Sequence, residues 1–190
     1  MYFKKMIGTK CYLSPIDEND AEKFTEWLND LEMTQYMTPL YPSVVNVQNE
    51  RSALEKLAKG HKYSIIEITS NELIGNCGFG DIDHLNQKTE VGIFIGNKNY
   101  WGKGYGTEAL CLLLDYGFKA LNLHNISLQV ISHNERAIKS YKKIGFKTIG
   151  NKREALLRGK DRIDLVLMDI LYNDFYEKNE KYNIVRANCI

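Results

Sequence analysis

Residues 99–108 read NYWGKGYGTE, a turn with glycines at alternate positions directly before a run of helical spacing. Glycine places no side chain in the turn, so consecutive backbone N–H groups can converge on one anion at the positive end of the following helix. The sequence therefore predicts a phosphate or pyrophosphate site in the segment that we call the glycine turn, residues Gly102, Lys103, Gly104, Tyr105, Gly106 and Thr107. The alternative is structural, because glycines before a helix also permit close helix packing.

Two common phosphate-binding motifs do not fit this turn. A P-loop requires Gly-Lys followed by Ser or Thr, whereas Gly102 and Lys103 are followed by Gly104. The dinucleotide-binding fingerprint requires a third glycine at the position of Thr107. Both differences disfavour a nucleotide-binding module, which is one of the alternative functions.

A second informative segment, residues 134–146, reads NERAIKSYKKIGF. On a helix, Asn134, Ala137 and Tyr141 are three and four residues apart and share one face. This face offers an amide that donates and accepts, a gap beside a small residue, and a hydroxyl one turn further on. The alternative is that Asn134 only caps the helix and that Tyr141 is a core aromatic residue.

Together the two segments resemble the GNAT superfamily of N-acetyltransferases over roughly Ile65 to Met168. In that superfamily the glycine turn carries the pyrophosphate of coenzyme A and the later helix flanks its pantetheine arm. One difference is Asn99, which stands where many members have Gln or Arg. The resemblance extends to the branch of the ribosomal-protein N-terminal and bacterial spermidine acetyltransferases through the following residues: Asp115 to Phe146, Gly159, Asp164 and Met168.

The order of hydrophobic periods predicts an α+β (mixed α/β) fold with one strand–helix–strand crossover. We expect helices at 18–29, 47–58, 106–119 and 135–144, and strands at 9–13, 63–69, 73–80, 89–95, 126–131, 147–152 and 162–171. The resemblance implies a GNAT-like, central, mostly antiparallel and splayed sheet of six to seven strands flanked by helices. We expect a single acetyltransferase domain over residues 1–172, an irregular segment over a cleft at 32–47, and a loosely held polar tail at 173–190.

The resemblance also implies the roles of individual residues. Acetyl-coenzyme A (acetyl-CoA) would be the co-substrate, with no metal. The pantetheine amides would pair with Phe94, Ile95 and Gly96 as with an added strand, and Gly102 to Thr107 would wrap the pyrophosphate. Asn134 would contact the cofactor arm, and Tyr141 would point at its sulfur.

Acetyl transfer to an amine requires a neutral amine, stabilisation of an oxyanion and a proton for the departing thiolate. A phenol is protonated at neutral pH, so Tyr141 is the candidate general acid. Strand alternation predicts Glu90, Gly92, Phe94 and Gly96 on one face, so Glu90 is the candidate base, through a water molecule. The alternative is that Glu90 is only an exposed strand residue without a catalytic role.

Candidate acceptor-binding residues lie in and beyond the first helix, where aromatic rings and carboxylates could hold a cationic amine. These residues are Asp30, Glu32, Tyr36 and Tyr41. Trp27 lies on the apolar face of that helix and is expected in the core. The pattern leaves open whether the acceptor is a small amine, a polyamine or a protein N-terminus.

Composition excludes several other classes of function. With 25 Lys and Arg against 24 Asp and Glu, the net charge of +1 gives no field to attract nucleic acid. The sequence has neither a membrane-length apolar run nor metal-ligand spacing among its four cysteines and four histidines. We therefore expect a cytoplasmic protein with free thiols and no nucleic-acid or membrane partner. The branch it resembles includes monomers, dimers and larger rings, so the sequence leaves the oligomeric state open, homo-oligomers included. It also leaves open an alternative function, that of a non-catalytic acetyl-CoA-binding sensor or structural domain.

Overall fold

The computed structural model describes residues 1–38 and 44–179. The strands are β1 Met6–Ile7, β2 Cys11–Pro15, β3 Lys62–Glu67, β4 Leu73–Phe79, β5 Lys88–Ile95, β6 Asn125–Ile131, β7 Lys147–Arg158 and β8 Asp161–Leu171. The α-helices are α1 Ala21–Leu28, α2 Leu31–Thr34, α3 Val47–Leu57, α4 Tyr105–Ala120, α5 Glu135–Ile144 and α6 Tyr172–Asn179. Short 3-10 helices span Glu18–Asp20 and Lys98–Tyr100. Among the helices of these residues, none has both the length and the apolar character needed to cross a bilayer.

The strands form one mixed sheet in the order β1-β2-β3-β4-β5-β6-β8-β7. Neighbours are antiparallel except β5 and β6, which are parallel and are connected through α4. The mixed fold, the antiparallel β3-β4-β5 meander and the strand–helix–strand crossover are therefore confirmed. The described sheet has eight strands rather than six or seven, because β1 adds a two-residue edge strand beside β2.

Two apolar clusters cover the two faces of the sheet. On one face, α4 and α5 pack over the strands, with Leu110, Leu113 and Phe118 of α4 buried. On the other face, α1 and α3 pack around Phe24 and Trp27, so Trp27 is a core residue as expected. Residues of β5 alternate between the clusters, since Val91 belongs to the first and Phe94 packs against the second.

Most predicted helices and strands lie close to their observed bounds, and four differences stand out. The expected first helix is divided into a 3-10 turn and α1, and the irregular segment begins with the short helix α2. The final strands extend to a hairpin between Arg158 and Asp161. Residues 173–179 of the expected loose tail belong to helix α6, which buries Phe175 completely beside Phe118. Residues 180–190 lie outside the described chain.

Candidate active site

Strands β5 and β6 separate soon after they meet. They pair only at Lys88–Glu90 with Asn125–Ser127, and beyond these residues no register joins them. We call the resulting gap the cofactor slot. The splay implied by the resemblance is therefore present, and it leaves the second half of β5 with an edge that no neighbouring strand covers.

The glycine turn lies at the mouth of this slot, between the end of β5 and the start of α4. Within the described residues, no acceptor takes the backbone N–H groups of residues 102–107. The first paired N–H is that of Glu108, which donates to the Gly104 carbonyl at 3.0 Å. Six consecutive N–H groups at the positive end of a 16-residue helix are therefore available as donors, which is the arrangement that anions favour.

Two of the three glycines are required by backbone conformation. Gly102 has φ +72° and Gly104, the N-cap residue of α4, has φ +87°, and both angles lie in the left-handed region that L side chains rarely adopt. A Cβ at Gly102 would meet no atom within 4 Å, so open space adjoins the turn there. These features favour the anion-binding interpretation over close helix packing.

Helix α5 faces the glycine turn across the slot, so the two sequence motifs meet in space. The hydroxyl groups of Thr107 and Ser140 are 2.9 Å apart. The Arg136 guanidinium lies over the Trp101 ring, 4.4 Å from its centroid. Both contacts connect the β5 end of the slot with the helix that follows β6.

Asn134 and Tyr141 share the slot-facing side of α5 and line one cavity of about 1020 Å³ with the glycine turn. The Asn134 side-chain oxygen accepts a hydrogen bond from the Ala137 N–H at 3.2 Å, so this residue caps the helix and keeps its amide NH2 available. Tyr141 packs on Phe146, and its hydroxyl makes no hydrogen bond with other described residues. Burial raises the pKa of Tyr141 to about 12, so the phenol is protonated at neutral pH.

The expected role of Phe94, Ile95 and Gly96 needs correction. The Gly80 N–H donates to the Glu90 carbonyl, and the Gly96 N–H donates to a carbonyl of β4. Because backbone groups of alternate strand residues point to opposite sides, Phe94 and Gly96 turn theirs towards β4 rather than the slot. Of the three residues, only Ile95 presents its backbone to the open edge, together with Ile93. The Ile95 carbonyl already accepts a hydrogen bond from the Trp101 indole at 2.7 Å.

Glu90 lies at the rim of the cavity. It occupies the same face of β5 as Gly92 and Phe94, which line the cavity, but it is exposed and does not line the cavity itself. Its carboxylate accepts a hydrogen bond from Gln129 at 3.4 Å, and Gln129 is a lining residue. A water molecule is therefore needed to connect Glu90 with an amine inside the cavity.

The structure separates the four predicted acceptor residues. Asp30 and Glu32 both form ion pairs with Lys98 and do not line the cavity. Asp30 also caps α2, since its side chain accepts from the Glu32 and Met33 N–H groups. These two carboxylates are therefore engaged elsewhere. Tyr36 does line the cavity, whereas Tyr41 lies outside the described residues.

Glu108 supports the site although sequence reasoning did not identify it. Its buried carboxylate accepts hydrogen bonds from the Thr9, Lys10 and Cys11 N–H groups and from the Thr9 hydroxyl. Burial, the largest influence, raises the pKa of Glu108, but these hydrogen bonds outweigh burial and hold the pKa below its usual value. The first turn of α4 is thereby fastened to the β1–β2 connection, and the Lys10 ammonium donates to the Lys103 carbonyl at 3.0 Å.

Glu50 is a second residue of the candidate site that the sequence did not reveal. It lies in the first turn of α3, lines the cavity and is only 7% exposed. No signal in the polar sequence of α3 separates it from the exposed Glu55, because its burial depends on how the helix packs against the sheet.

Comparisons with known proteins agree with this geometry. The acetyltransferase (GNAT) domain matches residues 10–147. The uncharacterized N-acetyltransferase p20 of Bacillus licheniformis is 32% identical over 166 residues, which are 83% of this chain and 88% of that protein. Spermidine N(1)-acetyltransferase of Escherichia coli (strain K12) is 31% identical over 153 residues, 80% of this chain and 75% of that one. The structure of a ribosomal-protein-S5-alanine acetyltransferase from Vibrio fischeri superimposes with a TM-score of 0.77 at 20% identity, covering 92% of this chain and 98% of that one.

The chain therefore belongs to the GNAT family of acetyltransferases, as the two sequence motifs indicated. It is accordingly an acetyl-CoA-dependent N-acetyltransferase.

Proposed function

We propose that the protein transfers the acetyl group of acetyl-CoA directly to a primary amine, either of a small molecule or of a protein N-terminus. One observation carries this proposal: the glycine turn, whose residues Gly102, Gly104, Gly106 and Thr107 line the cavity with unpaired N–H groups, shares that cavity with the protonated phenol of Tyr141 at a gap in the sheet. The relatives are consistent with either acceptor, since one is named for spermidine and another for a ribosomal protein.

The turn and its neighbours would bind the coenzyme in three places. The N–H groups of residues 102–107 hold the pyrophosphate, and the ammonium of Lys103 adds a positive charge. The open backbone edge of Ile93 and Ile95 pairs with the amides of the pantetheine arm, as an added strand would. The free NH2 of Asn134 contacts the same arm from α5.

The chemical step forms a bond between the amine nitrogen and the carbonyl carbon and breaks the bond between that carbon and sulfur. Tyr141 donates its proton to the sulfur as negative charge develops there, and solvent returns a proton to the phenol. Because burial raises the pKa of Tyr141 to about 12, the donor is protonated at neutral pH, and return of a proton from solvent completes a transfer that is uphill towards the less basic sulfur. The proton of the incoming ammonium leaves through a water molecule to Glu90 at the cavity rim.

Calorimetry with coenzyme A tests the binding part of the proposal. We expect wild-type protein to bind coenzyme A and Gly102→Ala to bind at least about tenfold more weakly, because a side chain strains the turn and enters its open space. Gly159→Ala is the matched control: that glycine has φ +60° and equally open surroundings, but it belongs to the β7–β8 hairpin and does not line the cavity. Absence of binding at millimolar coenzyme A would contradict the proposal.

Mass spectrometry then tests the reaction. Wild-type protein is incubated with acetyl-CoA and a panel of primary amines and N-terminal peptides, and the products are identified by mass. We expect one acetyl group added to at least one amine. Tight binding without any acetylated product would instead identify a non-catalytic acetyl-CoA-binding domain.

A further inference from the structure

The cavity continues beyond the cofactor slot into a space between α3 and the sheet, which we call the acceptor groove. Its roof consists of Glu50, Ala53 and Leu57, one face of α3. Its floor is the face of the sheet that carries Gly92 and Phe94, since the register pairs Asn76 with Phe94 and Gly78 with Gly92. The groove therefore lies on the opposite face of β5 from α4.

The floor of the groove is open at Gly92. A Cβ built there would meet no atom within 4 Å, and the backbone of Gly92 is not in the left-handed region, so glycine is not required by conformation. The groove walls are mostly apolar. They include Phe24, Leu28, Met33 and Met37. The space above Gly92 thus suits an apolar group of a ligand.

Glu50 is the exception among these apolar surroundings. The residue is 7% exposed, and its side chain makes no hydrogen bond or ion pair with residues 1–38 or 44–179. Burial raises the pKa of this carboxyl. The carboxylate borders the cavity and has no partner among the described residues, so a cation that enters the groove gains an ion pair that these residues do not supply.

The charges around Glu50 limit how many positive groups a ligand can carry. Among the carboxylates of the described residues, Glu50 alone lines the cavity, and residues 39–43 contain no acidic residue in sequence. Two ammonium groups, Lys56 and Lys62, line the same groove. Inside the groove a second or third positive charge on the ligand would therefore meet like charges, since the carboxylate of Glu90 lies outside, at the rim.

We propose that the acceptor groove binds a primary amine with an apolar body and a single positive charge, and that Glu50 pairs with its ammonium in the binding complex, before the amine loses its proton through water and attacks the thioester. This inference rests on the proposed acetyl transfer and specifies its acceptor. It makes Glu50 a specificity-determining residue. It also separates this protein from polyamine acetylation, because the acids Asp30 and Glu32 are paired with Lys98 outside the groove.

Binding experiments in the presence of coenzyme A, which permits no acetyl transfer, test the inference with 2-phenylethylamine and spermidine as probes. We expect 2-phenylethylamine to bind at least about tenfold more tightly than spermidine in calorimetry. Glu50→Gln should weaken 2-phenylethylamine binding about tenfold or more, since a charged hydrogen-bond partner is lost. Glu55→Gln, an exposed residue of the same helix, is the matched control and should leave binding unchanged.

A second pair of variants tests the position of the apolar body. Gly92→Val fills the open floor and should abolish binding of 2-phenylethylamine while leaving coenzyme A affinity unchanged. Gly150→Val, at an equally open strand position on β7, should bind both as wild type does. Unchanged coenzyme A affinity in Glu50→Gln and Gly92→Val shows that both variants are folded.

Two results would overturn the inference: tighter binding of spermidine than of 2-phenylethylamine, or equal affinity of Glu50→Gln and wild type for the aromatic amine. Neither depends on turnover. If the groove binds as expected but no amine is acetylated, the proposed function fails and the binding site stands. If spermidine is acetylated equally well by Glu50→Gln, the proposed function stands and the inferred binding site fails.

Discussion

At the residue scale, Tyr141 has an environment that fits one task. Its ring packs against Phe146 with centroids 5.8 Å apart, and its hydroxyl has no hydrogen-bond partner in the described protein. Burial that raises the pKa to about 12 keeps the proton on the phenol throughout the usual assay range. The residue therefore carries the proton that a general acid needs, although burial makes it a weaker acid than a free phenol.

For Tyr141→Phe we expect turnover to fall on the order of 10²-fold or more, within the range of general acid catalysis. Affinity for coenzyme A should stay unchanged, because the ring and its packing remain. Steady-state kinetics and calorimetry on the same preparation measure both quantities. Wild-type turnover in this variant would remove Tyr141 from the mechanism.

Glu90 gives a prediction about pH. If it accepts the amine proton, Glu90→Gln should lose the limb of the rate profile that reports amine deprotonation, so that the rate rises only at higher pH. Glu135→Gln, an exposed residue at the start of α5, serves as the control. A limb that is unaltered by Glu90→Gln would assign deprotonation to another group or to bulk water.

Local signals predicted some site residues and could not predict others. The cap at Asn134 and the glycine at 145, with φ +128°, are both visible in sequence, so the bounds of α5 were predicted correctly. Asp30 and Glu32 are not free to bind an acceptor because they form ion pairs with Lys98. These contacts join residues more than 60 positions apart, since Glu32 and Lys98 are separated by 66. No local pattern encodes such a pair.

At the scale of elements, the first turn of α4 depends on a contact across the chain. Glu108 accepts hydrogen bonds from a backbone segment 97 to 99 residues earlier. A Cβ at Gly8 would lie 2.7 Å from this carboxylate, so the connection between β1 and β2 closes tightly around it. The hydrogen bonds of Glu108 therefore fix the glycine turn to the β1–β2 connection, on the side of the turn away from the slot.

Removing that carboxylate should destabilise the protein. We expect Glu108→Ala to lower the free energy of unfolding by about 3 kcal/mol or more, because several buried N–H groups lose their acceptor. Urea denaturation measures the difference. Glu55→Ala, on an exposed helix position, should change stability by less than about 0.5 kcal/mol.

The same contact has a pH dependence with a definite sign. The pKa of Glu108 is lowered in the folded protein, so its contribution is complete above the unfolded pKa and is lost as pH falls through the folded pKa. The stability difference between wild type and Glu108→Gln should therefore shrink towards acid pH. A difference that grows on acidification would contradict this assignment.

Helices and strands long enough to show a repeating hydrophobic pattern could be predicted from the sequence. Very short elements, and a polar helix that is held by packing on the rest of the fold, could not. Strand β1 has two residues and helix α2 has four, which is too few to establish a period. Helix α6 is polar in sequence, and only its packing on α4 reveals the buried Phe175. The direction of backbone groups at Phe94 and Gly96 likewise depends on which neighbouring strand takes them.

At the scale of the whole molecule, α6 completes the core rather than trailing from it. Phe175 is fully buried, and the Tyr176 hydroxyl donates to the buried Asp115 carboxylate of α4 at 2.7 Å. We expect Phe175→Ala to destabilise the protein by about 3–5 kcal/mol in chemical denaturation. Leu157→Ala, at a side chain that is 59% exposed, is the control and should have little effect. Similar stabilities of the two variants would show that α6 does not contribute to the core.

The parallel pairing of β5 and β6 over only three residues has a consequence for the intact protein. A ligand that binds in the gap between β5 and β6 connects the two halves of the sheet, which otherwise share few hydrogen bonds. Saturation at a hundred times the dissociation constant adds about 2.7 kcal/mol to the stability of the folded state. In a thermal melt, coenzyme A should then raise the midpoint by roughly 5–10 °C, with slower amide hydrogen exchange on both flanks of the gap.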